Sequence, residues 1–299
     1  MRVLVTGGTG FIGRALVARL LARGDAVTVL SRRPAAAAAL LGAGASVWRD
    51  LSAWTPETAF DAVINLAGEP IVDRPWTSAR RRVLRDSRIG VTERLLQAIR
   101  QSRHKPAVLL SGSAIGIYGN DGPDPATEST PAAADFGAVL CADWEHAALE
   151  AERLGVRVCL LRTGLVLHRD GGLLKKMRLP FAFGLGSRLG DGRQAMSWIH
   201  RGDHLDALLF LLDHGACRGA YNLTAPMPVS NREFTETLAR SLKRPALLAA
   251  PAWALRLALG QRAPMLLGGR QVLPERLLAA GFRFRFPALA DALAQPAAD

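Results

Sequence analysis

Three glycines near the amino terminus, Gly7, Gly10 and Gly13, carry the first chemical signal in the sequence. They follow an apolar stretch of strand character, Arg2 to Thr6, and an apolar helical pattern begins at Phe11. This order is typical of a loop that binds a dinucleotide pyrophosphate, because backbone N–H groups at the helix start face the phosphates. Gly7 allows the tight turn, Gly10 the close approach to the pyrophosphate, and Gly13 the packing of helix on strand. The predicted phosphate loop comprises Gly7, Thr9, Gly10, Phe11, Ile12 and Gly13.

Two arginines, Arg32 and Arg33, bear on which dinucleotide would bind. In NAD-binding folds an acidic residue about 20 positions after the glycines holds the ribose 2′-hydroxyl. Here Arg32 lies 19 residues after Gly13, and no acid stands near it along the chain. A guanidinium pairs with a 2′-phosphate that a carboxylate would repel, so the pattern predicts NADP as the cofactor. The alternative is a pair of surface arginines at the end of a strand.

These residues need a rigid frame, and the sequence predicts a parallel sheet. Apolar stretches typical of buried strands alternate with helical patterns at 26–30, 45–49, 61–68, 107–114 and 156–161. Such alternation predicts an α/β fold with a doubly wound Rossmann parallel sheet, whose ligands bind at the carboxyl ends of the strands. Those ends supply further candidates for the site: Asp50, Leu51, Leu66, Ala67, Gly68, Ser111, Ser113 and Arg162.

The character of the chain changes after Arg162. Glycines interrupt the stretch from Thr163 to Met196, and the end of the chain is helical with scattered prolines. We predict an NADP-binding Rossmann domain over 1–170, with 196–225 returning to it, and a smaller, mainly helical substrate or cap domain made of 171–195 and 226–299. Basic residues in the inserted segment are expected to face substrate phosphates: Lys175, Lys176, Arg188 and Arg193.

Composition narrows the class of protein. The chain has 299 residues, 49% of them hydrophobic, and a net charge of +12. Its basic residues come with no nucleic-acid motif or aromatic platform, so we expect an anionic small-molecule substrate and no nucleic acid. The most apolar late stretch is too short to span a bilayer, so we expect no membrane partner. Three cysteines without metal spacing predict a reduced, cytoplasmic protein with no metal. We expect a monomer or a homodimer.

Longer segments resemble a known family. The start, MRVLVTGGTGFIG, is similar to the extended short-chain dehydrogenase/reductase superfamily. The segments INLAGEPI, SGSAIGIYG, RTGLVL, SWIH and GGRQVLPERLLAAGFRF resemble one branch of it, the epimerase family proteins often labelled sugar-nucleotide epimerases. The resemblance implies a Rossmann sheet with a carboxyl-terminal substrate domain, and NADP-binding enzymes whose substrate is largely undefined.

The resemblance also implies residue roles. Asp50 matches the position that hydrogen-bonds the adenine amino group, and the stretch from Asn65 to Gly68 matches the lining of the adenosine side. Ser111 or Ser113 matches the catalytic hydroxyl, and Arg162 opens the segment that passes under the nicotinamide. Two alternatives stay open: Asp50 as an ordinary strand-terminating acid, and Arg162 as part of an internal salt bridge.

One departure from the superfamily concerns catalysis. Its chemistry uses a tyrosine that moves a proton and a lysine, four residues later, that lowers the tyrosine pKa. At those positions this chain has Gly137 and Cys141. The remaining candidates for the proton transfer are Ser113, Tyr118 and His200, although Tyr118 could instead pack under a loop and His200 could cap a helix. Two functions therefore stay open. One is an NADP-dependent oxidoreductase or epimerase that acts on a small anionic or nucleotide-linked substrate. The other is a catalytically weak NADP-binding regulator that senses the cofactor and binds a partner, a reading that the cell- and plastid-division labels of some family members suggest.

Overall fold

The computed structural model describes residues 1–122 and 124–294. The described strands are β1 Arg2–Thr6, β2 Ala26–Leu30, β3 Ala45–Trp48, β4 Ala62–Asn65, β5 Val108–Ala114, β6 Arg157–Thr163, β7 Leu165–His168, β8 Ser187–Leu189, β9 Ala195–Met196, β10 Trp198–His200, β11 Gly219–Leu223, β12 Val229–Ser230 and β13 Leu248–Ala250. The described α-helices are α1 Phe11–Ala22, α2 Pro34–Leu41, α3 Ser78–Arg85, α4 Val91–Gln101, α5 Phe136–Leu149, α6 Gly172–Ala182, α7 Arg201–Asp213, α8 Asn231–Ser241, α9 Ala252–Leu259, α10 Pro264–Leu267, α11 Glu275–Ala279 and α12 Leu289–Ala294.

The central element is a seven-stranded sheet in the order β11-β6-β5-β4-β1-β2-β3. Every neighbouring pair in it is parallel. From β1 the chain builds outward through β2 to β3, then returns to the other side of β1 with β4. The strand order therefore reverses between β1 and β4, which is where ligands of doubly wound sheets bind. The predicted α/β fold with a Rossmann sheet is confirmed.

Apolar side chains alternate between the two faces of the sheet, so each face has its own core. Val3 and Val5 of β1 pack with α1 and α7, whereas Leu4 packs with α4 on the opposite face. Strands buried on both faces read as continuous apolar runs, as 3–5 and 62–64 do here. Both faces are thereby covered, and only the strand ends remain open for a ligand.

The segment between α3 and α4 departs from the expected structure. The sequence suggests one arginine-rich helix from about 78 to 103, but the structure places a π-helical turn, Asp86–Gly90, between the two helices. A π turn inserts one residue into the helical repeat and is common near functional sites. Its side chains reach the end of β4: Glu69 donates its backbone N–H to Ser87 Oγ at 3.1 Å, and its carbonyl accepts from Arg88 Nη2 at 3.0 Å.

A third core lies in the later part of the chain. It joins β7, β10, α6, α8 and α12 around Leu174, Trp198 and Phe234. Ser230 caps α8 by accepting from the Glu233 N–H at 3.1 Å, as its capping sequence predicts. The exact boundaries predicted for the two domains stay a prediction, and Pro123 and residues 295–299, the end of the predicted cap segment, lie outside the described residues. Within the described residues, no helix is both long and apolar enough to cross a membrane.

Candidate functional site

The glycine turn between β1 and α1 has the geometry that a phosphate loop needs. Gly7 has φ of +70°, and a Cβ there would lie 2.5 Å from the Leu66 carbonyl oxygen. A Cβ on Gly13 would lie 2.2 Å from the Gly7 carbonyl oxygen, so α1 packs against the turn only without a side chain. Gly10 has ordinary extended backbone, with φ of −76°, and its N–H donates to Gly7 at 2.9 Å. The positive φ at Gly7 and the close packing at Gly13 thus require glycine in the protein itself. At Gly10 the reason for glycine would be the close approach of a ligand.

A cavity of about 850 Å³ opens beside this turn, at the carboxyl ends of β1 to β4. The sequence-predicted residues that line it are Gly7, Thr9, Gly10, Arg32, Arg33, Asp50, Leu51, Leu66, Ala67 and Gly68. The structure therefore brings together residues from four separate segments of the chain. Phe11, Ile12 and Gly13 follow in the first turn of α1, outside the lining. Ser111 and Arg162 lie elsewhere, on β5 and β6.

Further residues line the cavity that the sequence patterns did not indicate. Asp86, Ser87, Val91 and Arg94 enter it from the π turn and α4, and Glu69 enters it from the loop after β4. The π turn has no sequence signature of its own, so no local pattern could have placed these side chains. Four arginine side chains therefore line the cavity: Arg32, Arg33, Arg49 and Arg94.

A buried polar chain fixes the end of β4 against β1. Thr6 Oγ1 donates to Asn65 Oδ1 at 2.6 Å, and Asn65 Nδ2 donates to Thr92 Oγ1 at 2.9 Å. Thr6 Oγ1 also accepts from the Ala67 N–H at 3.1 Å. Because each group has a partner, the Leu66–Gly68 wall of the cavity is held in one position.

Asp50 lies two residues after the end of β3 and is exposed at the cavity wall. Its carboxylate accepts from Ser52 N–H at 2.9 Å and also from the Ser52 hydroxyl. These hydrogen bonds lower the pKa of Asp50. It therefore caps the short 3₁₀ turn Leu51–Ala53 and lines the cavity, and its contact with an adenine amino group stays a prediction.

Arg32 is paired across the cavity with an acid that is remote in sequence. Its Nη2 donates to Glu69 Oε1 at 3.0 Å, and Arg80 Nη1 lies 3.5 Å from Glu69 Oε2. The hydrogen bond from Arg32 lowers the pKa of the Glu69 carboxyl, so Glu69 is ionised at neutral pH. No acidic residue lies near Arg32 in the sequence, as expected. In the folded structure, however, the carboxylate of Glu69 lies beside it.

A second cluster of polar residues is buried where β5 and β6 end. Arg162 donates from Nε and Nη2 to the two carboxylate oxygens of Glu145, each at 2.8 Å. Ser113 Oγ donates to Glu145 Oε1 at 2.6 Å. Burial disfavours the charge on Arg162, but the hydrogen bonds and charge of Glu145 outweigh it and raise the Arg162 pKa. The alternative of an internal salt bridge for Arg162 is therefore present, and Ser113 is tied to it.

Tyr118 belongs to the same cluster. It is 1% exposed, donates to Asn222 Oδ1 at 2.7 Å and accepts from Arg162 Nη1 at 2.8 Å. Burial raises the Tyr118 pKa. Its hydroxyl is thus occupied by two partners inside the protein, which matches the packing alternative and leaves its catalytic role a prediction.

The other catalytic candidates are also buried. His200 Nδ1 accepts from the Gly202 N–H at 3.1 Å, so the ring caps α7, and it packs 4.2 Å from the Phe286 ring. Ser111 lies in the sheet interior, and its hydroxyl has no partner among the described residues. In α5, Cys141 is buried, which raises its pKa to about 12 and keeps it a neutral thiol.

The basic residues of the inserted segment do not enter the cavity. Lys176 of α6 pairs with Asp73 at 2.9 Å, and Arg193 approaches Asp191 at 3.9 Å on the surface. Lys175 is exposed on α6, and Arg188 is half-buried in β8. Their role toward a substrate stays a prediction. Among the residues that the structure describes, no cluster of potential ligands could hold a metal ion.

The sheet order, the glycine turn and the cavity beside it define a dinucleotide-binding Rossmann protein. Residues 3–224 match the NAD dependent epimerase/dehydratase family, and residues 250–295 match a domain of unknown function, DUF1731. This chain belongs to the NAD dependent epimerase/dehydratase family, as an epimerase family protein with a carboxyl-terminal DUF1731 domain. The family predicted from the sequence segments is thereby confirmed.

Relatives match over nearly the whole chain. An epimerase family protein of Mycobacterium leprae is 40% identical over 97% of this chain and 94% of its own. The crystal structure of human epimerase family protein SDR39U1 with NADPH is similar, with a TM-score of 0.90, 37% identity and 99% coverage of both chains. A nucleoside-diphosphate sugar epimerase from Corynebacterium glutamicum has a TM-score of 0.76 at 29% identity, over 98% of this chain and 57% of that one.

Proposed function

We propose that this chain is an NADP-dependent oxidoreductase or epimerase that acts on a small anionic or nucleotide-linked substrate. The observation that carries the proposal is the cavity beside the glycine turn, which joins a phosphate loop to Arg32 and Arg33 at the end of β2. A dinucleotide with a 2′-phosphate has its charges at these two places. The cofactor would carry the hydride, while the protein supplies orientation and charge.

The residues around the cavity fit the separate parts of NADP. Backbone N–H groups at the start of α1 suit the pyrophosphate, and Asp50 suits the adenine amino group. Arg32 or Arg33 suits the 2′-phosphate because a planar guanidinium donates two parallel hydrogen bonds to it. The NADPH of human SDR39U1, in a chain with a TM-score of 0.90 to this one, supports the same cofactor here.

The positive charge of the chain supports an anionic substrate. The chain carries a net charge of +12, and the segment between β6 and β11 of the sheet contains Lys175, Lys176, Arg188 and Arg193. A basic surface raises the local concentration of anionic ligands. The sugar-nucleotide epimerase of Corynebacterium glutamicum, with 29% identity, supports a nucleotide-linked substrate.

Two measurements test the proposal. Titration calorimetry compares NADPH and NADH binding, and a stronger interaction with NADPH is expected. Loss of NADPH absorbance against a panel of carbonyl compounds and nucleotide sugars then identifies the substrate class. Equal affinity for NADPH and NADH would contradict the cofactor half, and no turnover with any panel member would favour the second candidate function.

A second candidate is a catalytically weak protein that senses NADP and binds a partner. The observation that favours it is α5, which presents Gly137 and Cys141 where the superfamily has tyrosine and lysine, while the Tyr118 hydroxyl is engaged by Arg162 and Asn222. Such a protein would bind NADPH without turning it over. Its partner would bind with an affinity that changes when NADPH is added, which a pull-down with and without NADPH measures.

A further inference from the structure

The Arg32–Glu69 ion pair lies over the place where the cofactor is expected. Arg32 follows β2 and Glu69 follows β4, and in the sheet these strands flank β1 on either side. The glycine turn begins at the end of β1. The 3.0 Å hydrogen bond from Arg32 Nη2 to Glu69 Oε1 therefore joins the two walls of the cavity above that turn.

Glu69 is held in this position by its backbone. Its N–H donates to Ser87 Oγ at 3.1 Å and its carbonyl accepts from Arg88 at 3.0 Å. A Cβ on the preceding Gly68 would lie 3.2 Å from the Arg88 guanidinium, so the turn rests directly on that side chain. The backbone of Glu69 is thereby fixed, and its side chain lines the cavity with 25% of its surface exposed.

The two arginines that pair with Glu69 differ in how far their side chains are exposed and held by other contacts. The Arg32 side chain is 88% exposed, and Glu69 is its ion-pair partner among the described residues. The Arg80 side chain is 10% exposed and also donates to the Pro70 carbonyl at 2.6 Å, so it is fixed to the same loop as Glu69. Arg32 can consequently turn away from Glu69, whereas Arg80 stays beside it.

We propose that Glu69 competes with the 2′-phosphate of the cofactor for Arg32: it holds Arg32 in the absence of cofactor, releases it to a phosphate, and so reduces the preference for NADP(H) over NAD(H). This inference rests on the proposed binding of NADP. The 2′-phosphate of NADP(H) takes over Arg32, and the Glu69 carboxylate keeps Arg80 as its counter-ion. NAD(H) brings a 2′-hydroxyl, which carries no charge with which to compete for Arg32.

The arrangement lowers the affinity for the preferred cofactor. Each NADP(H) that binds must replace an existing ion pair, so part of the Arg32–phosphate interaction is offset. Removing the carboxylate charge while keeping its shape should therefore tighten NADPH binding, and it should leave NADH binding nearly unchanged. A Glu69 that served only to shape the loop would give no selective gain in NADPH affinity.

The test is a double-mutant cycle on the intact chain. Titration calorimetry measures NADPH and NADH for the wild type, Glu69→Gln, Arg32→Ala and the double variant. Exposed ion pairs contribute about 0.2–1 kcal/mol, so Glu69→Gln should bind NADPH up to about fivefold more tightly. In the Arg32→Ala background the same substitution should change NADPH affinity far less, because its competitor is gone.

A matched control separates this effect from a general change of charge. Glu57→Gln removes the same charge from an exposed ion pair with Arg103, outside the cavity lining, and should leave both affinities unchanged. Thermal unfolding of each variant verifies that it is folded. Unchanged or weaker NADPH binding by folded Glu69→Gln overturns the inference. If the wild type binds no NADPH or shows no preference for it, the proposed function fails instead.

Discussion

Glu145 and Arg162 face each other through two hydrogen bonds of 2.8 Å, with the Ser113 hydroxyl as a third donor to the same carboxylate. Both side chains of the pair are at most 10% exposed. The pair joins α5 to β6, and α5 is also the helix that contains Gly137 and Cys141. Glu145 thus lies on the helix for which the family resemblance predicts the tyrosine and lysine, and its carboxylate is engaged by Arg162 and Ser113.

Breaking this pair should strongly destabilise the fold. Glu145→Gln leaves the Arg162 guanidinium buried without a counter-ion, so the free energy of unfolding should fall by about 3–5 kcal/mol. Glu150→Gln is the matched control, because it removes an exposed pair with Arg153 and should cost about 1 kcal/mol or less. Urea unfolding measures both. Equal losses would show that burial does not strengthen the Glu145–Arg162 interaction.

Arg32 should decide between the two dinucleotides. A charge-assisted contact to a phosphate contributes about 1.5–3 kcal/mol, so the wild type should prefer NADPH to NADH by about tenfold or more. Arg32→Ala should remove most of this preference by weakening NADPH binding alone. Arg103→Ala, an exposed arginine outside the cavity, serves as the control. A preference that survives Arg32→Ala would assign the 2′-phosphate to another side chain, such as Arg33.

The glycine turn should separate binding from folding. Gly10→Val should abolish cofactor binding, because the branched side chain occupies the space that the pyrophosphate needs. Its backbone angle is ordinary and its Cβ would meet one atom, the Gly7 carbonyl oxygen at 3.2 Å, so the fold should survive. Gly215→Val, at a surface position with open space around it, is the control. Normal NADPH titration of Gly10→Val would show that the phosphate lies elsewhere.

Proton transfer should depend on a group other than a tyrosine–lysine pair. If Ser113 supplies it, Ser113→Ala should lower turnover about 10²–10⁴-fold with NADPH affinity intact. Tyr118→Phe and His200→Asn test the other two candidates in the same assay, and Gly137→Tyr with Cys141→Lys tests whether activity rises when the pair is restored.

Cys141 provides a check on that scheme. Burial holds its pKa at about 12, so it should stay a neutral thiol, and Cys141→Ala should leave turnover unchanged. Loss of turnover in Cys141→Ala, with NADPH binding retained, would place the chemistry on the thiol and remove Ser113 from the scheme.

Stability should depend on pH through His204 of α7. Its ring is fully buried, which lowers the pKa from 6.5 to about 4, and Nε2 lies 3.1 Å from Thr163 Oγ1. Between these two pKa values the unfolded chain binds a proton that the folded chain does not. The free energy of unfolding should therefore fall as the pH drops through this range, by about 1.4 kcal/mol per unit of pKa difference and about 3 kcal/mol in all.

His204→Leu isolates this contribution from that of the carboxylates. The variant has no ring to protonate, so its unfolding free energy should decline less steeply over the same pH range. Chemical unfolding of both proteins above and below the range gives the two slopes. Parallel slopes would mean that His204 is protonated to the same extent in both states.

Short sequence patterns were sufficient to predict the strands and the glycine turn around the site. The turn at Gly7, the strand at 62–65 and the arginines after β2 are recognisable within short segments, because strand, turn and helix preferences act over a few residues. The Arg32–Glu69 pair and the Glu145–Arg162 pair join residues that only the strand order brings together. The π turn after Arg85 likewise depends on how α3 and α4 pack, so the side chains of Ser87 and Arg94 could not be placed from the sequence.

The order of the strands has a consequence for folding during synthesis. Six of the seven strands have been made once β6 ends at Thr163, but the face covered by α7 also needs β11, Leu277 and Phe282. Until α7, β11 and the segment with Leu277 and Phe282 have been made, the early helix α1 covers only part of this apolar face of the sheet. Apolar surface that is exposed over that interval favours aggregation, so the early strands depend on the later part of the chain for protection.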